Sequence, residues 1–272
     1  MALFFYQNML TGWYNKHMDL TWLGTAGFII KSRDGEIVFD PFLSRGKGET
    51  SPFRPQSFQN SHALFVGHGH FDHTYDIPRI ALETDFKIFV PGLTKHLLKF
   101  RGVPGDRLVH TNVKEFIFKP FKMRAFHSSH VNFDMPLVIE TVKRCGLKGC
   151  LQVCGLGLSY PKGLVQTYLF ETEGKKVLYM SSAGASLEEL NIYRKLEVDY
   201  FLAPLQGHSN IQDIAAKQAE IINPKVIIPH HHDDFYPPMS KNISIDIFRE
   251  KLEKVGYKGS LVEIPLFKSS LI

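Results

Sequence analysis

Short apolar runs recur along the 272-residue chain, and their length and content are typical of β-strands. They are rich in Val, Ile, Phe and Tyr, and turn-forming residues separate them. We predict strands at the runs LTWLGTAGFIIKS, EIVFD, ALFVG, KIFV, FIFKPFKMRAF, QTYLFET, KVLYM, DYFLAPL, KVIIPH and SLVEIPL.

Two other stretches have the apolar spacing of a helix. The first spans 209–222, where Ser209 can cap the start and Pro224 closes the end. The second spans about 244–255, and Gly256 stops it. Strands and helices alternate towards both ends of the chain, around a strand-rich middle. We therefore predict one α/β domain over residues 1–272, with layered sheets and outer helices.

Two longer segments, residues 44–61 and 142–163, show neither the apolar spacing of a helix nor that of a strand. Both contain Gly, Pro and cations, so they are expected to be irregular loops, and active-site loops are often of this kind. As loops they would either overhang a pocket and offer cations to an anion, or lie on the surface in water. The cations are Arg45, Lys47, Arg54 and Lys162.

Charge and cysteine content narrow the class of protein. The formal net charge is +5, but Lys and Arg are scattered rather than clustered, so nucleic acid is an unlikely partner and a small anionic substrate is favoured. The three cysteines, Cys145, Cys150 and Cys154, cannot form an even set of disulfides. Reduced cysteines indicate a cytoplasmic protein.

The N-terminal segment 1–17 is aromatic but has no basic region followed by an apolar core, so it does not resemble a signal peptide. It is predicted to dock on the domain or to contact a second copy in a homo-oligomer; contact with a membrane surface is the alternative. No stretch approaches the ~20 apolar residues of a membrane span.

The stretch GHGHFDHTYD follows the buried run ALFV and is dense in metal-binding groups. His68, His70, Asp72 and His73 fall in a turn, where neighbouring side chains can converge on one point. Imidazole and carboxylate together suit Zn²⁺, Mn²⁺ or Fe²⁺, whereas calcium prefers oxygen ligands. A surface loop with accidental metal affinity is the alternative.

Two further histidine sites repeat this context of a strand followed by a turn. The run MRAFHSSH places His127 at a strand end, and KVIIPHHHDDF places His230, His231 and His232 at another. Three strand ends that all present imidazole predict a metal site.

The order LTWLGTAGFII, VFDPF, HGHFDH, AFHSSH and VIIPHHHDDF resembles the metallo-β-lactamase superfamily over about residues 19–238. It looks closest to the branch of the L-ascorbate-6-phosphate lactonases and is more distantly similar to the phospholipase D that acts on N-acylphosphatidylethanolamine. The resemblance implies a four-layer αβ/βα sandwich built from two similar halves, with metals at one edge between the sheets.

The resemblance also implies a ligand set. One ion would be held by His68, His70 and His127, and a second by Asp72, His73 and His231. Asp40 matches an aspartate behind the site, which would hold a ligand histidine in the correct tautomer.

Two positions depart from the superfamily pattern. Ser182 stands where a carboxylate normally bridges the two ions, so the second site would either survive without the bridge or be weak. His208 stands where close relatives tend to have an acidic residue, and it either faces the pocket as a proton donor or lies on the surface.

These residues predict a hydrolase. A His₃ zinc site leaves a position for water and lowers the pKa of that water from 15.7 towards about 7. Asp72 and His208 are the candidate catalytic groups, and Arg45, Ser181 and Ser182 are candidate substrate contacts. A lactone or phosphodiester is the favoured substrate, with one or two zinc ions. The alternatives are a catalytically inactive scaffold or sensor, and a nuclease or lipid phosphodiesterase.

Overall fold

The computed structural model describes residues 18–46, 49–111, 115–118 and 120–272, so the predicted N-terminal docking segment and Lys47 lie outside the described residues. The first of two sheets has seven strands in the order β14-β1-β2-β3-β4-β5-β6. They are β1 Asp19–Gly24, β2 Gly27–Ser32, β3 Gly35–Phe39, β4 Ala63–Phe65, β5 Lys87–Pro91, β6 Leu108–Thr111 and β14 Ser269–Leu271.

The second sheet also has seven strands, in the order β13-β12-β11-β10-β9-β8-β7. In each sheet an antiparallel part is joined to a parallel part, at β3 and β4 in the first sheet and at β10 and β11 in the second. The second-sheet strands are β7 Glu115–Phe118, β8 Phe121–Ser128, β9 Val165–Thr172, β10 Lys175–Met180, β11 Tyr200–Pro204, β12 Val226–His230 and β13 Ser260–Leu261.

Helices lie on the outer faces of both sheets. A 3₁₀ turn, Pro55–Phe58, precedes them. The helices are α1 Phe71–Thr74, α2 Ile77–Glu83, α3 Gly92–Phe100, α4 Met135–Ser159, α5 Leu187–Arg194, α6 Ile211–Ile222 and α7 Ile245–Lys254. None of the described helices is long and apolar enough to cross a bilayer.

Three buried apolar clusters show how the layers stack. The central cluster joins both sheets, and in it Phe39 packs 5.3 Å from Phe65 and 4.7 Å from Tyr179 between ring centroids. A second cluster packs α2 and α3 on the first sheet, and a third packs α5, α6 and α7 on the second. The predicted order of helix, sheet, sheet and helix is confirmed.

Local signals explain most of the elements. Helix α7 begins where predicted, because the Ser244 Oγ accepts a hydrogen bond from Ile247 N at 3.3 Å. Helix α6 is present, but Asn210 occupies its N-cap position, and Ser209 N instead donates to Asp134. The run LTWLGTAGFIIKS forms two strands rather than one, because Gly24 turns the chain at φ 85°.

The prediction of an irregular loop at 142–163 is wrong, because α4 covers most of that segment. Its backbone departs from helical angles at Gly146, with φ 62° and ψ −177°, so two helical pieces meet at a kink there. The glycines of this segment lower its intrinsic helix propensity, which hid the helix in the sequence.

Candidate metal centre

The histidine-rich stretch leaves β4 at the edge where both sheets end and then forms α1. Its two early glycines are required by close packing. A Cβ on Gly67 would lie 2.1 Å from the Cβ of Ser181, and one on Gly69 would lie 2.3 Å from the carbonyl oxygen of Pro161. This packing fixes His68 and His70 beside the second sheet.

The first ligand group consists of His68, His70 and His130. Their candidate ligand atoms all lie within 4.8 Å of one another, and His68 Nε2 is 3.1 Å from His70 Nδ1. Ligand atoms about 2.1 Å from a tetrahedral zinc ion are about 3.4 Å apart, so this spacing fits such an ion.

His127, predicted as the third ligand of this group, does not join it. His127 lies within β8 opposite Gln166, and its side chain is exposed. The chain continues through Ser128 and Ser129 before His130 turns towards the site. The Val131 N–H donates to Ser182 Oγ at 3.0 Å, which holds this turn against the end of β10. The third member of the first ligand group is therefore His130, the second histidine of AFHSSH, and not His127.

The second ligand group consists of Asp72, His73 and His231, as the resemblance implied. Asp72 Oδ2 lies 3.0 Å from His231 Nε2 and 3.7 Å from His73 Nε2. His231 has φ 58°, and its N–H donates to Thr25 O at 2.8 Å, so the turn after β12 is pinned to the β1–β2 turn.

Asp40 lies behind the second group and is fully buried. Its Oδ2 is 2.8 Å from His73 Nδ1, which leaves His73 Nε2 facing the group. The carboxylate also accepts hydrogen bonds from Gly67 N, at 2.8 Å, and from the Tyr179 hydroxyl. Tyr179, which sequence reasoning missed, thus supports Asp40.

Electrostatics prepare both groups for a cation. Burial lowers the pKa of His68 well below its ordinary value and lowers the pKa of His70 and His130 to about 4, so each imidazole is uncharged at neutral pH and has one unprotonated nitrogen. Burial opposes ionisation of Asp72, but His73 and His231 outweigh it and lower the pKa of this carboxyl. Neutral imidazoles and an ionised carboxylate are the forms that bind divalent metals.

His73 differs from the other histidines. Burial alone would lower its pKa, but the Asp40 and Asp72 carboxylates outweigh burial, and its pKa lies above the ordinary value. A cation placed in the second group would supply the positive charge that a proton supplies here. The residues present therefore fit divalent ions at both groups.

Comparison with known proteins places this geometry in a family. A family model described as a β-lactamase superfamily domain matches residues 19–231. The chain belongs to the metallo-β-lactamase superfamily. A UPF0173 metal-dependent hydrolase of Polaromonas sp. strain JS666 is 26% identical over 230 residues, covering 79% of this chain and 77% of the relative.

Solved structures of the superfamily show the same fold. Igni18, a metallo hydrolase of the hyperthermophilic archaeon Ignicoccus hospitalis, superposes with a TM-score of 0.68 at 16% identity, covering 94% of this chain and 98% of that one. YhfI of Bacillus subtilis, a metallo-β-lactamase fold protein, superposes with a TM-score of 0.63 at 12% identity, covering 95% of this chain and 100% of that one. The likeness to the L-ascorbate-6-phosphate lactonase branch stays a prediction.

Ser182 is the residue that the resemblance sets at the position of a bridging carboxylate. It is buried at the end of β10, and its Oγ accepts the Val131 N–H bond. The two ligand groups share no residue. Neighbouring Ser181 donates its hydroxyl to Gln166 O at 3.0 Å, so this side chain supports the backbone.

Arg45 and His208 do not line the cavity beside the histidines. Arg45 Nη2 lies 2.6 Å from Asp233 Oδ2 in a buried ion pair, which ties the loop after β3 to the turn after β12. His208 Nδ1 accepts a hydrogen bond from Asn210 N at 3.0 Å, at the start of α6. His208 therefore does not face this cavity, and Arg45 lines a second, neighbouring cavity together with Phe71 and Tyr236.

Replacing His208 with alanine is expected to change hydrolytic kcat/KM by less than about threefold, because its imidazole accepts a hydrogen bond from Asn210 N just before α6 and does not line the cavity. The cost should be a loss of about 1 kcal/mol in the free energy of unfolding, the typical net contribution of one hydrogen bond. Steady-state rates and urea unfolding of the variant and the parent measure both. A hundredfold loss of rate at unchanged metal content would restore His208 as the proton donor.

Proposed function

We propose that this chain is a metal-dependent hydrolase that acts on a lactone or a phosphodiester. The observation that carries the proposal is the pair of adjoining ligand groups, since the rings of His68 and His73, one from each group, are 3.9 Å apart between centroids. Ions bound at two adjoining groups would be able to act on one bond. The metal-dependent hydrolases among the curated relatives support the same reaction class.

The chain's own residues have distinct roles in this proposal. Zinc, manganese or iron(II), when bound, would activate a water and polarise the bond to be cleaved. His68, His70 and His130 would hold one ion, and Asp72, His73 and His231 the other.

Two polar groups can contact the reacting atoms. Asp72 stays ionised and lines the cavity, so its carboxylate can orient the attacking water. The Ser182 hydroxyl accepts from Val131 N–H, so its own proton is available to an oxygen of the substrate. Ser182 lines the cavity, which supports this role.

The test is turnover that depends on metal and on His68. Purified protein would be stripped with a chelator, reloaded with Zn²⁺ or Mn²⁺, and assayed against γ-butyrolactone and bis(p-nitrophenyl) phosphate. His68→Ala should abolish turnover. His96→Ala is the matched control, because His96 is an exposed histidine on α3, and it should retain the parent's rate.

Two results would contradict the proposal. Bound metal without turnover across a broad panel of esters, lactones and phosphodiesters would favour the inactive scaffold. That alternative is based on Ser182, which stands where the resemblance expects a bridging carboxylate. Strong, salt-dependent binding of DNA or RNA would instead favour a nuclease.

A further inference from the structure

A cavity of about 350 Å³ lies beside the first ligand group. Its lining includes His68, His70, His130 and His231. Helix α4 adds a mostly apolar set to the lining, with Leu137, Val138, Val142, Val153 and Leu156. A volume of this size fits part of a small organic ligand.

The cations that line the cavity already have protein partners. Lys241 Nζ donates to both carboxylate oxygens of Glu140, at 2.7 and 2.9 Å. Arg144 donates to the carbonyl oxygens of Ser240, at 2.7 Å, and Met239, at 3.2 Å. Among the described lining residues, therefore, both cations already donate to protein acceptors.

Several apolar side chains that line the cavity are exposed to solvent. Phe133, Val138 and Val142 line the cavity, yet they are 58%, 40% and 49% exposed. The Phe133 ring is stacked against His70, 6.4 Å away between centroids, so the apolar rim reaches the first ligand group. A contiguous exposed apolar surface beside polar groups is typical of a binding site for an amphiphile.

We propose that the substrate carries a slender hydrocarbon tail that lies along α4 in this cavity, with its polar, cleavable end at the histidines. The inference rests on the proposed function and adds the substrate class. It adds a tail to the small substrate expected from the sequence, because the described loop cations do not line this cavity: Arg45 pairs with Asp233, and the side chains of Arg54 and Lys162 are exposed.

Tail binding can be measured without catalysis. Hexanamide, octanamide and decanamide would be titrated calorimetrically into the chelator-treated and the zinc-loaded full chain. Each added methylene buried in an apolar site should tighten binding about threefold to fourfold, until the cavity is full. Equal affinities across the series in both forms would overturn the proposal.

Two neighbouring residues of α4 provide a matched pair of variants. Val138 lines the cavity, whereas Ile139 does not, and the two are similarly exposed at 40% and 47%. Val138→Glu should weaken octanamide binding at least tenfold, and Ile139→Glu should leave it within twofold. Both changes lie on the surface, so both variants should fold, which thermal unfolding checks. Equal effects of the two changes would contradict a tail at this face.

Turnover provides an independent measurement. For the zinc-loaded protein, kcat/KM should rise from p-nitrophenyl ethyl phosphate to p-nitrophenyl octyl phosphate, or from γ-butyrolactone to γ-dodecalactone. Co-sedimentation with phosphatidylcholine vesicles would identify a membrane lipid as the source of the tail, and its absence a soluble amphiphile. Amide binding that grows with length, without any turnover, would leave the tail site standing and overturn only the proposed function. Turnover that does not depend on tail length would overturn the tail site and leave the proposed function standing.

Discussion

Replacing His130 with alanine is expected to lower kcat/KM by at least about 100-fold and to remove one zinc ion per chain, because it deletes one of three ligands of the first group. The same substitution at His127 should leave the rate within about twofold and the zinc content unchanged. The readouts are metal content after dialysis at fixed free zinc and steady-state rates on the best substrate found.

His127→Ala is a close control for His130→Ala. The two histidines are three residues apart in one segment, and both changes remove an imidazole from the same region of the chain. They differ in surroundings, since His127 is exposed on β8, whereas His130 packs with ring centroids 5.0 Å from His68 and 4.6 Å from His70. If His127→Ala lost the ion and His130→Ala kept it, the ligand assignment drawn from the structure would be wrong.

The pair also shows why sequence could predict the metal centre but not every ligand. Strand ends are visible as the ends of apolar runs, and histidines placed there converge because neighbouring strands end at one edge. The run AFHSSH holds two histidines after one strand. Which of them turns inward depends on where β8 ends and on the Val131–Ser182 hydrogen bond, and that tertiary contact has no signature in the local sequence.

The same limit applies to the cavity. The strands and the helices α6 and α7 follow from apolar period and caps, which are local properties. Helix α4 cannot be predicted from such local properties. Its glycines lower helix propensity, and several of its apolar side chains line a cavity rather than a continuous core. Arg45 is a cation in a Gly- and Pro-containing segment, which is why it was predicted to bind an anionic substrate. Its partner is instead Asp233, which lies after β12 of the second sheet. Pairings of such long range are set by the fold.

Changing Asp40 to asparagine is expected to weaken zinc binding at the second group by about 10- to 100-fold. Asp40 accepts from Gly67 N and from the Tyr179 hydroxyl and contacts His73 Nδ1, so all three neighbours use it as an acceptor. An asparagine amide has only one oxygen. Its NH₂ group would face one of these donors, and beside His73 it would favour the tautomer that carries a proton on Nε2, the atom needed for the metal.

Asp40→Asn should also lower the free energy of unfolding of the metal-free protein, by about 1 to 3 kcal/mol, because a fully buried donor loses its acceptor. Measuring the metal-free form separates this loss from the loss of zinc affinity, which competition with a chromophoric chelator reports. Asp34→Asn is the control, since that carboxylate is 73% exposed, and it should change neither quantity. Parent-like zinc affinity at both groups in Asp40→Asn would show that His73 keeps its orientation without the Asp40 carboxylate, which would then serve only as the acceptor for Gly67 N and the Tyr179 hydroxyl.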